Sequence, residues 1–307
     1  MEMISSASPN GLDLNLKGAP DHDCVDLPEP ATLALLPERI PFFKPRLLVA
    51  EEDTVRCGTP LIADKRNPEV TLASPAGGRI AAIRLGPRRV IREIVIERDS
   101  SEKFVEIEPV PAEKLGALNF QDLTARLMVG GLWPLMRQLP FRDYARPDQA
   151  PRIIVVVLDS REPFQPSPQV YLDGRQELFD YGMQLLGQLG AQRIEVSLSG
   201  DPQRLDESIR GHISYHCPGK YPAGDPGVTL YRTRNSPADN RAWYISGQDL
   251  LLWAEFLRSG RFAIRRVVTL GGNIAQGRRH YRTRLGVPLA HLMGQSEVPR
   301  DQRYVVG

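Results

Sequence analysis

The hydrophobic positions fall into two regimes along the chain. To about Pro109, apolar residues come in short runs of β-prone type, Arg46–Ala50, Leu61–Ala63, Gly78–Arg84 and Val90–Glu97, broken by Pro and Gly. This pattern predicts a small all-β unit over residues 1–110. Leu118, Leu123, Leu127 and Met128 then recur at helical spacing, and the stretch Leu118–Leu139 reads as a helical connector interrupted at Gly130-Gly131. The prolines and charges of FRDYARPDQAP mark an exposed linker, so that residues 111–150 join two units.

The second regime opens with RIIVVVLDS, a continuous β-branched run of the kind buried on both faces of a parallel sheet. A helix over Arg175–Leu189, with Leu178, Tyr181, Leu185 and Leu186 on one face, stops at Gly190, and AQRIEVSLSG supplies the next strand. Further strands are expected around Gly227–Tyr231, at Trp243–Ser246 and at Arg266–Leu270, with a helix at Gln248–Arg258 closed by Gly260. The alternation predicts a three-layer α/β, Rossmann-like domain over residues 151–275. Residues 276–307 begin like another β-rich element that stops without a closing partner.

Composition adds mainly exclusions. With 41% hydrophobic and 25% charged residues, the 307-residue chain suits about two globular domains. A net charge of +2 from near-equal acids and bases offers no field for nucleic acid. Cys24, Cys57 and Cys217 are far apart and form no CxxC pair, against both a disulfide framework and an iron–sulfur centre. The N-terminus lacks a basic start and apolar run, which places the protein in the cytoplasm. No apolar stretch approaches the roughly twenty residues of a membrane span, so any membrane association is expected to come through a partner.

Candidate chemistry is sparse. LLVAEEDTVRCGTPLIADKRNPEVTLASPAGGRIAAI resembles the barrel-sandwich hybrid of biotinyl and lipoyl carrier domains. Lys65 is the one lysine near its middle, but the carriers' flanking tip residues are missing and a solvated loop lysine is the simpler reading. Gly271-Gly272 follows a strand and is either a phosphate-cradling turn or a structural one; neither GxGxxG nor GxxxxGK[ST] is present. His212, His216 and Cys217 are the one ligand-like cluster, read either as a metal site or as a histidine pair at a loop edge. The arginines of RSGRFAIRRVVTLGG and GRRHYRTRLG suit an anionic headgroup, a quinone headgroup or acidic partner residues, or simply a solvated face. No GxSxG elbow and no Cys–His–acid set appear, so no autonomous active site is expected.

Several phrases in order resemble one family, the NqrA subunit of the bacterial sodium-translocating NADH:quinone oxidoreductase (Nqr). They are GLDLNLKGAP, DKRNPEVTLASPAGGRIAAI with RRVIREIVIE, GLWPLMRQLPF, GKYPAGDPGV, WYISGQDLLLWAEFLRSGRFAIRRVVTLGG and RTRLG. The KYPAG phrase, Lys220–Gly224, leans instead toward the related RnfC component of the Rnf complex, which binds flavin mononucleotide and NADH. The resemblance implies an α+β multidomain chain: a barrel-sandwich hybrid, a three-layer α/β domain, and the start of a truncated β-grasp-like domain. It implies a peripheral subunit on the cytoplasmic side of the bacterial inner membrane, binding no redox cofactor itself. Its partners would be membrane subunits of an Nqr-type complex, NqrB above all, with ubiquinone as substrate of the whole. Trp133, Arg137, Pro140 and Phe141, and then Lys220, Tyr221 and Pro222, are the positions expected to contact quinone or partner. An aromatic ring and a guanidinium can sandwich a quinone and hydrogen-bond its carbonyl, though Trp133 and Phe141 can equally pack the connector.

Overall fold

A computed structural model describes residues 3–6, 11–12, 14–273, 275, 277–295 and 303–305. In chain order its strands and helices begin with β1 (Ile4–Ser5), β2 (Cys24–Asp26), β3 (Thr32–Leu35), β4 (Pro45–Leu47) and β5 (Thr54–Val55). Then come β6 (Pro60–Asp64), β7 (Asn67–Ala73), β8 (Gly78–Leu85), β9 (Ile91–Arg98), α1 (Ala112–Leu115) and α2 (Phe120–Val129). The second half holds β10 (Arg137–Gln138), β11 (Asp143–Tyr144), β12 (Ile153–Val157), α3 (Pro168–Tyr171), α4 (Gln176–Gly187), β13 (Arg193–Leu198) and α5 (Glu207–His212). It continues through β14 (Tyr215–His216), α6 (Pro226–Thr233), β15 (Trp243–Ser246), α7 (Gly247–Ser259), β16 (Arg265–Thr269), β17 (His280–Arg284) and α8 (Leu289–Leu292).

The barrel-sandwich unit is two antiparallel sheets, β3-β9-β8-β5 and β4-β6-β7. Alternation drives it: along β9, Ile91, Ile94 and Ile96 are buried while Arg92 and Glu97 are exposed. Leu33, Leu61, Val70 and Ile80 complete the interior. Gly78, at φ +154°, has no room for a side chain, because a Cβ would stand 1.9 Å from the Glu97 carbonyl oxygen.

The α/β unit is one sheet of order β1-β14-β13-β12-β15-β10-β11, parallel from β1 to β15 and antiparallel beyond it. Every residue of β12 is buried, as its unbroken apolar run requires. Helices α4 and α7 cover one face through Leu185, Leu250 and Trp253, and α6 covers the other through Leu230. Helix α7 starts where the Ser246 hydroxyl accepts the Asp249 N–H and ends at Gly260, φ +74°.

Two expectations are corrected. Gly227–Tyr231 is helix α6, not strand: Pro226 and the Asp225 side chain, which accepts the Gly227 N–H, start a helix that the alternating Val228 and Leu230 concealed. The connector helix ends at Val129, at the Gly130-Gly131 interruption, where the chain turns toward the β10–β11 hairpin. Strand β16 leaves the parallel sheet and pairs antiparallel with β17, to which β2 is added in parallel. His212 closes α5, and the two-residue β14 follows at Tyr215.

Candidate functional site

The tip of the β6–β7 hairpin is where a carrier domain would present its modified lysine. Here Lys65 is exposed, but its neighbours are tied down. The Asp64 carboxylate is fully buried and accepts from Arg66 Nε at 2.9 Å and Nη2 at 2.7 Å. The same guanidinium reaches Asp143 of β11 with Nη1 at 2.6 Å and Nη2 at 3.0 Å, and lies 5.0 Å from the centroid of the Tyr144 ring. Burial raises the Asp64 carboxyl, but hydrogen bonds from the Arg66 side chain and backbone, Tyr144 and Lys44 outweigh it and hold the group below the usual carboxylate value. The hairpin is therefore clamped to the α/β unit rather than presented on a swinging arm.

A second buried ion network joins barrel and β17. Arg284 donates to Glu102, to Glu29 at 3.2 Å and to the Pro75 carbonyl at 2.8 Å. Cys57 lies against it, and burial pushes this thiol up to about 12.

In open α/β folds, ligands settle beyond the carboxyl ends of the parallel strands. Asp159 follows β12 there and accepts the Ser199 N–H at 2.5 Å, the Ser199 hydroxyl at 2.9 Å and the Gly200 N–H at 2.8 Å. These are donors of the kind that would grip a phosphate. Burial pushes the Asp159 carboxyl up, against donors that favour its charged form. Gly224 packs on the same loop so closely that a Cβ would stand 2.5 Å from Ser160 Cα. The N-terminal segment crosses above, its Leu12 N–H donating to the Tyr221 carbonyl at 2.9 Å. The Gly271-Gly272 turn is likewise used internally, for the Gly272 N–H is given to the Gly18 carbonyl at 2.9 Å.

The seven positions singled out from sequence divide. Trp133 is fully buried, 5.7 Å from both the Trp243 and Trp253 ring centroids, with Nε1 donating to the Ala145 carbonyl at 2.7 Å. Its faces belong to the core, which corrects its assignment as a contact residue. Arg137, on β10, is drawn below the ordinary guanidinium value by burial, and its Nη1 is buried without a hydrogen-bond partner among the described residues. Pro140 and Phe141 are exposed, Phe141 to 76%. Lys220 is exposed, and Tyr221 and Pro222 are half-buried under the N-terminal segment.

Pro140 lines a cleft of about 370 Å³ with Leu139, Arg142, Asp225, Leu230, Tyr231, Arg234 and Asn240. Arg142 pairs with Asp225 across it, and Arg234 stacks on Tyr231 at 4.8 Å while donating to Asn240 at 2.8 Å. Its apolar floor and two guanidinium groups suit a flat ligand with carbonyl oxygens. The prolines and charges of this stretch, taken as sequence, point only to a linker. Among the described residues no group of three His, Cys, Asp or Glu could hold a metal. His212 instead bonds Asp180 at 2.7 Å and His216 the Gly200 carbonyl at 2.9 Å.

Comparison with known proteins places this geometry. Residues 8–99 match the NqrA N-terminal barrel-sandwich hybrid domain, and residues 118–262 match the NqrA second alpha/beta domain. The NqrA subunit of the Na(+)-translocating NADH-quinone reductase of Pseudomonas aeruginosa is 30% identical over 297 residues, covering 97% of this chain and 66% of that protein. The corresponding proteins from Yersinia pestis bv. Antiqua and Neisseria meningitidis serogroup B are also 30% identical, with the same coverage. The chain thus spans 66% of the length of these relatives. Among solved structures, an NAD+-reducing [NiFe]-hydrogenase superposes with a TM-score of 0.39 at 14% identity over 63% of this chain and 44% of its own, too slight a likeness to argue from. With two domains of one family matched in order, and relatives 30% identical across 97% of its length, the chain belongs to the NqrA family.

Proposed function

We propose that the chain is a peripheral subunit of a Na(+)-translocating NADH:quinone reductase, contributing to the quinone site or to assembly and binding no redox cofactor itself. It would sit on the cytoplasmic side of the membrane and contact the membrane subunits, NqrB first. Among the described residues no helix is long and apolar enough to cross a membrane.

The observation that carries this reading is the occupancy of the fold's own ligand places. Asp159 takes the donors at the carboxyl edge of the sheet, Gly224 packs beneath them, and Arg66 immobilises the carrier-like hairpin. An open cleft lies beside Pro140, the residue that precedes the exposed Phe141. Arg142 and Arg234 would donate to quinone carbonyls or to acidic residues of a partner, over Leu139, Leu230 and Tyr231.

Affinity purification from native membranes tests the reading. Co-purification of membrane subunits with sodium-stimulated NADH:quinone reductase activity is expected, and Phe141→Ala with Arg142→Ala is expected to lower subunit retention or the apparent quinone affinity roughly tenfold. Recovery of the chain alone would overturn it. The Lys220–Gly224 phrase supports a second reading, an Rnf-type flavin- and NADH-binding subunit. Uptake of flavin mononucleotide by the purified chain, seen as flavin absorbance that co-elutes with it, would favour that reading instead.

A further inference from the structure

Three turns meet at the seam between barrel and sheet. Lys65 N–H donates to the Lys44 carbonyl at 2.8 Å, Lys44 N–H to Asp64 at 3.3 Å, and Arg66 ties Asp64 to Asp143. Phe42 stands two residues from one end of this network and Phe141 two residues from the other, so each ring projects from a turn that the network holds in place. Phe42 is 58% and Phe141 76% exposed. Phe42 also has φ +62°, a left-handed conformation that a bulky L-residue adopts only at a cost and that Gly or Asn adopts readily. Folding alone gives no reason for an unpacked phenylalanine there. Leu47 and Leu48, also exposed, continue the apolar surface along β4, whose outer edge has no neighbouring strand in its sheet among the described residues.

The charge around these rings is predominantly positive. Lys44, Arg46 and Lys65 are exposed, and none of them is in an ion pair among the described residues. Of the acids nearby, Asp64 and Asp143 are neutralised by Arg66 and Asp225 by Arg142, which leaves Glu69 of the same hairpin as an exposed carboxylate beside the three cations. Exposed aromatic and leucine side chains ringed by cations are the combination that adsorbs to an anionic bilayer: the rings enter the headgroup region while the cations meet phosphate.

We infer that this seam is a direct contact with anionic phospholipid, with Phe42 and Phe141 as the inserting side chains and Lys44, Arg46 and Lys65 as the headgroup contacts. This adds a lipid contact to membrane association expected only through a partner. It shares Phe141 with the proposed cleft contact but requires neither quinone binding nor assembly with other subunits.

Co-sedimentation of the full chain with large unilamellar vesicles tests it. Vesicles of phosphatidylcholine containing phosphatidylglycerol are expected to retain the chain, and pure phosphatidylcholine vesicles are not, with retention falling as salt rises. Phe42→Gly is the decisive variant, since relief of the left-handed strain leaves the melting temperature unchanged or raises it while vesicle affinity falls roughly tenfold. Phe141→Ser is expected to lower affinity similarly, and Lys44→Glu with Arg46→Glu to abolish the preference for phosphatidylglycerol. Equal retention on both vesicles, no retention on either, or full affinity in Phe42→Gly would overturn the inference.

Discussion

Replacing Arg66 by Ala strikes the clamp between the two units. Asp64 has no solvent-exposed side-chain surface, and the variant removes its contacts to Nε and Nη2, at 2.9 and 2.7 Å. Breaking a fully buried pair costs about 3–5 kcal/mol. Two features reduce that figure here: backbone donors from Arg66 and Lys44 remain, and Arg66 is 31% exposed. The Asp143 contacts, with Asp143 itself 32% exposed, add about 0.5–1 kcal/mol of the surface type. A net loss of about 2–3 kcal/mol follows. The three tryptophans, Trp133, Trp243 and Trp253, pack together around the α/β unit, so their fluorescence in urea reports that unit while far-UV circular dichroism reports both. The probes are expected to coincide in the parent and to separate in the variant, and an Arg66→Ala/Asp143→Ala cycle is expected to show coupling of about 1 kcal/mol. The pH dependence has a definite sign. Because Asp64 is held below its ordinary value of 3.8, its stabilisation is fully present above that value and is lost as pH falls through the folded-state value. Without Arg66 the folded-state value moves up toward 3.8, so this acid-dependent loss of stability shrinks. An unchanged urea midpoint with coincident probes would refute the reasoning.

Trp133→Ala is expected to cost about 3–5 kcal/mol, measured as a lowered urea midpoint, because it empties a fully buried site between two other indoles. Asp159→Asn puts an amide N–H₂ among donors and is expected to lower stability by about 1–3 kcal/mol, read by thermal melting; an unaltered melt would show that the Ser199 and Gly200 donors do not depend on it. Of the three cysteines, Cys57 and Cys217 are buried, and Cys57 is pushed up to about 12. Iodoacetamide at pH 8 is expected to leave both unmodified in the native chain and to alkylate all three after denaturation, as intact mass will show.

What the sequence makes legible is local. The unbroken β-branched run of β12, the glycine that ends α7 and the alternation along β8 and β9 each announce their element within a few residues. Helix α6 escapes such a reading because its apolar residues also alternate, while its true marker, the Asp225-Pro226 cap, is a pair equally at home in a turn. The order of phrases singles out Trp133 together with Pro140 and Phe141, although the first is core and the other two are exposed, since a tryptophan beside Gly-Gly looks the same whether it packs inward or faces a ligand. Arg66–Asp143 and Asp159–Ser199 have no advance signal at all. Each joins residues far apart in sequence: the first depends on how the two units pack, the second on how β12 and β13 align within one sheet.

The pairing of Ile4 with Tyr215 and of Cys24 with His280 has a consequence for synthesis. During translation the barrel strands, β3 to β9, emerge together and pair among themselves, so that unit can close early. Strand β1 must wait, unpaired, until β14 has left the ribosome, and β2 waits longer still for β17. Residues made before the barrel are therefore seated long after it. A nascent chain stalled after β9 is expected to hold a folded domain behind a protease-sensitive segment, which becomes resistant only once the far end of the sheet is complete.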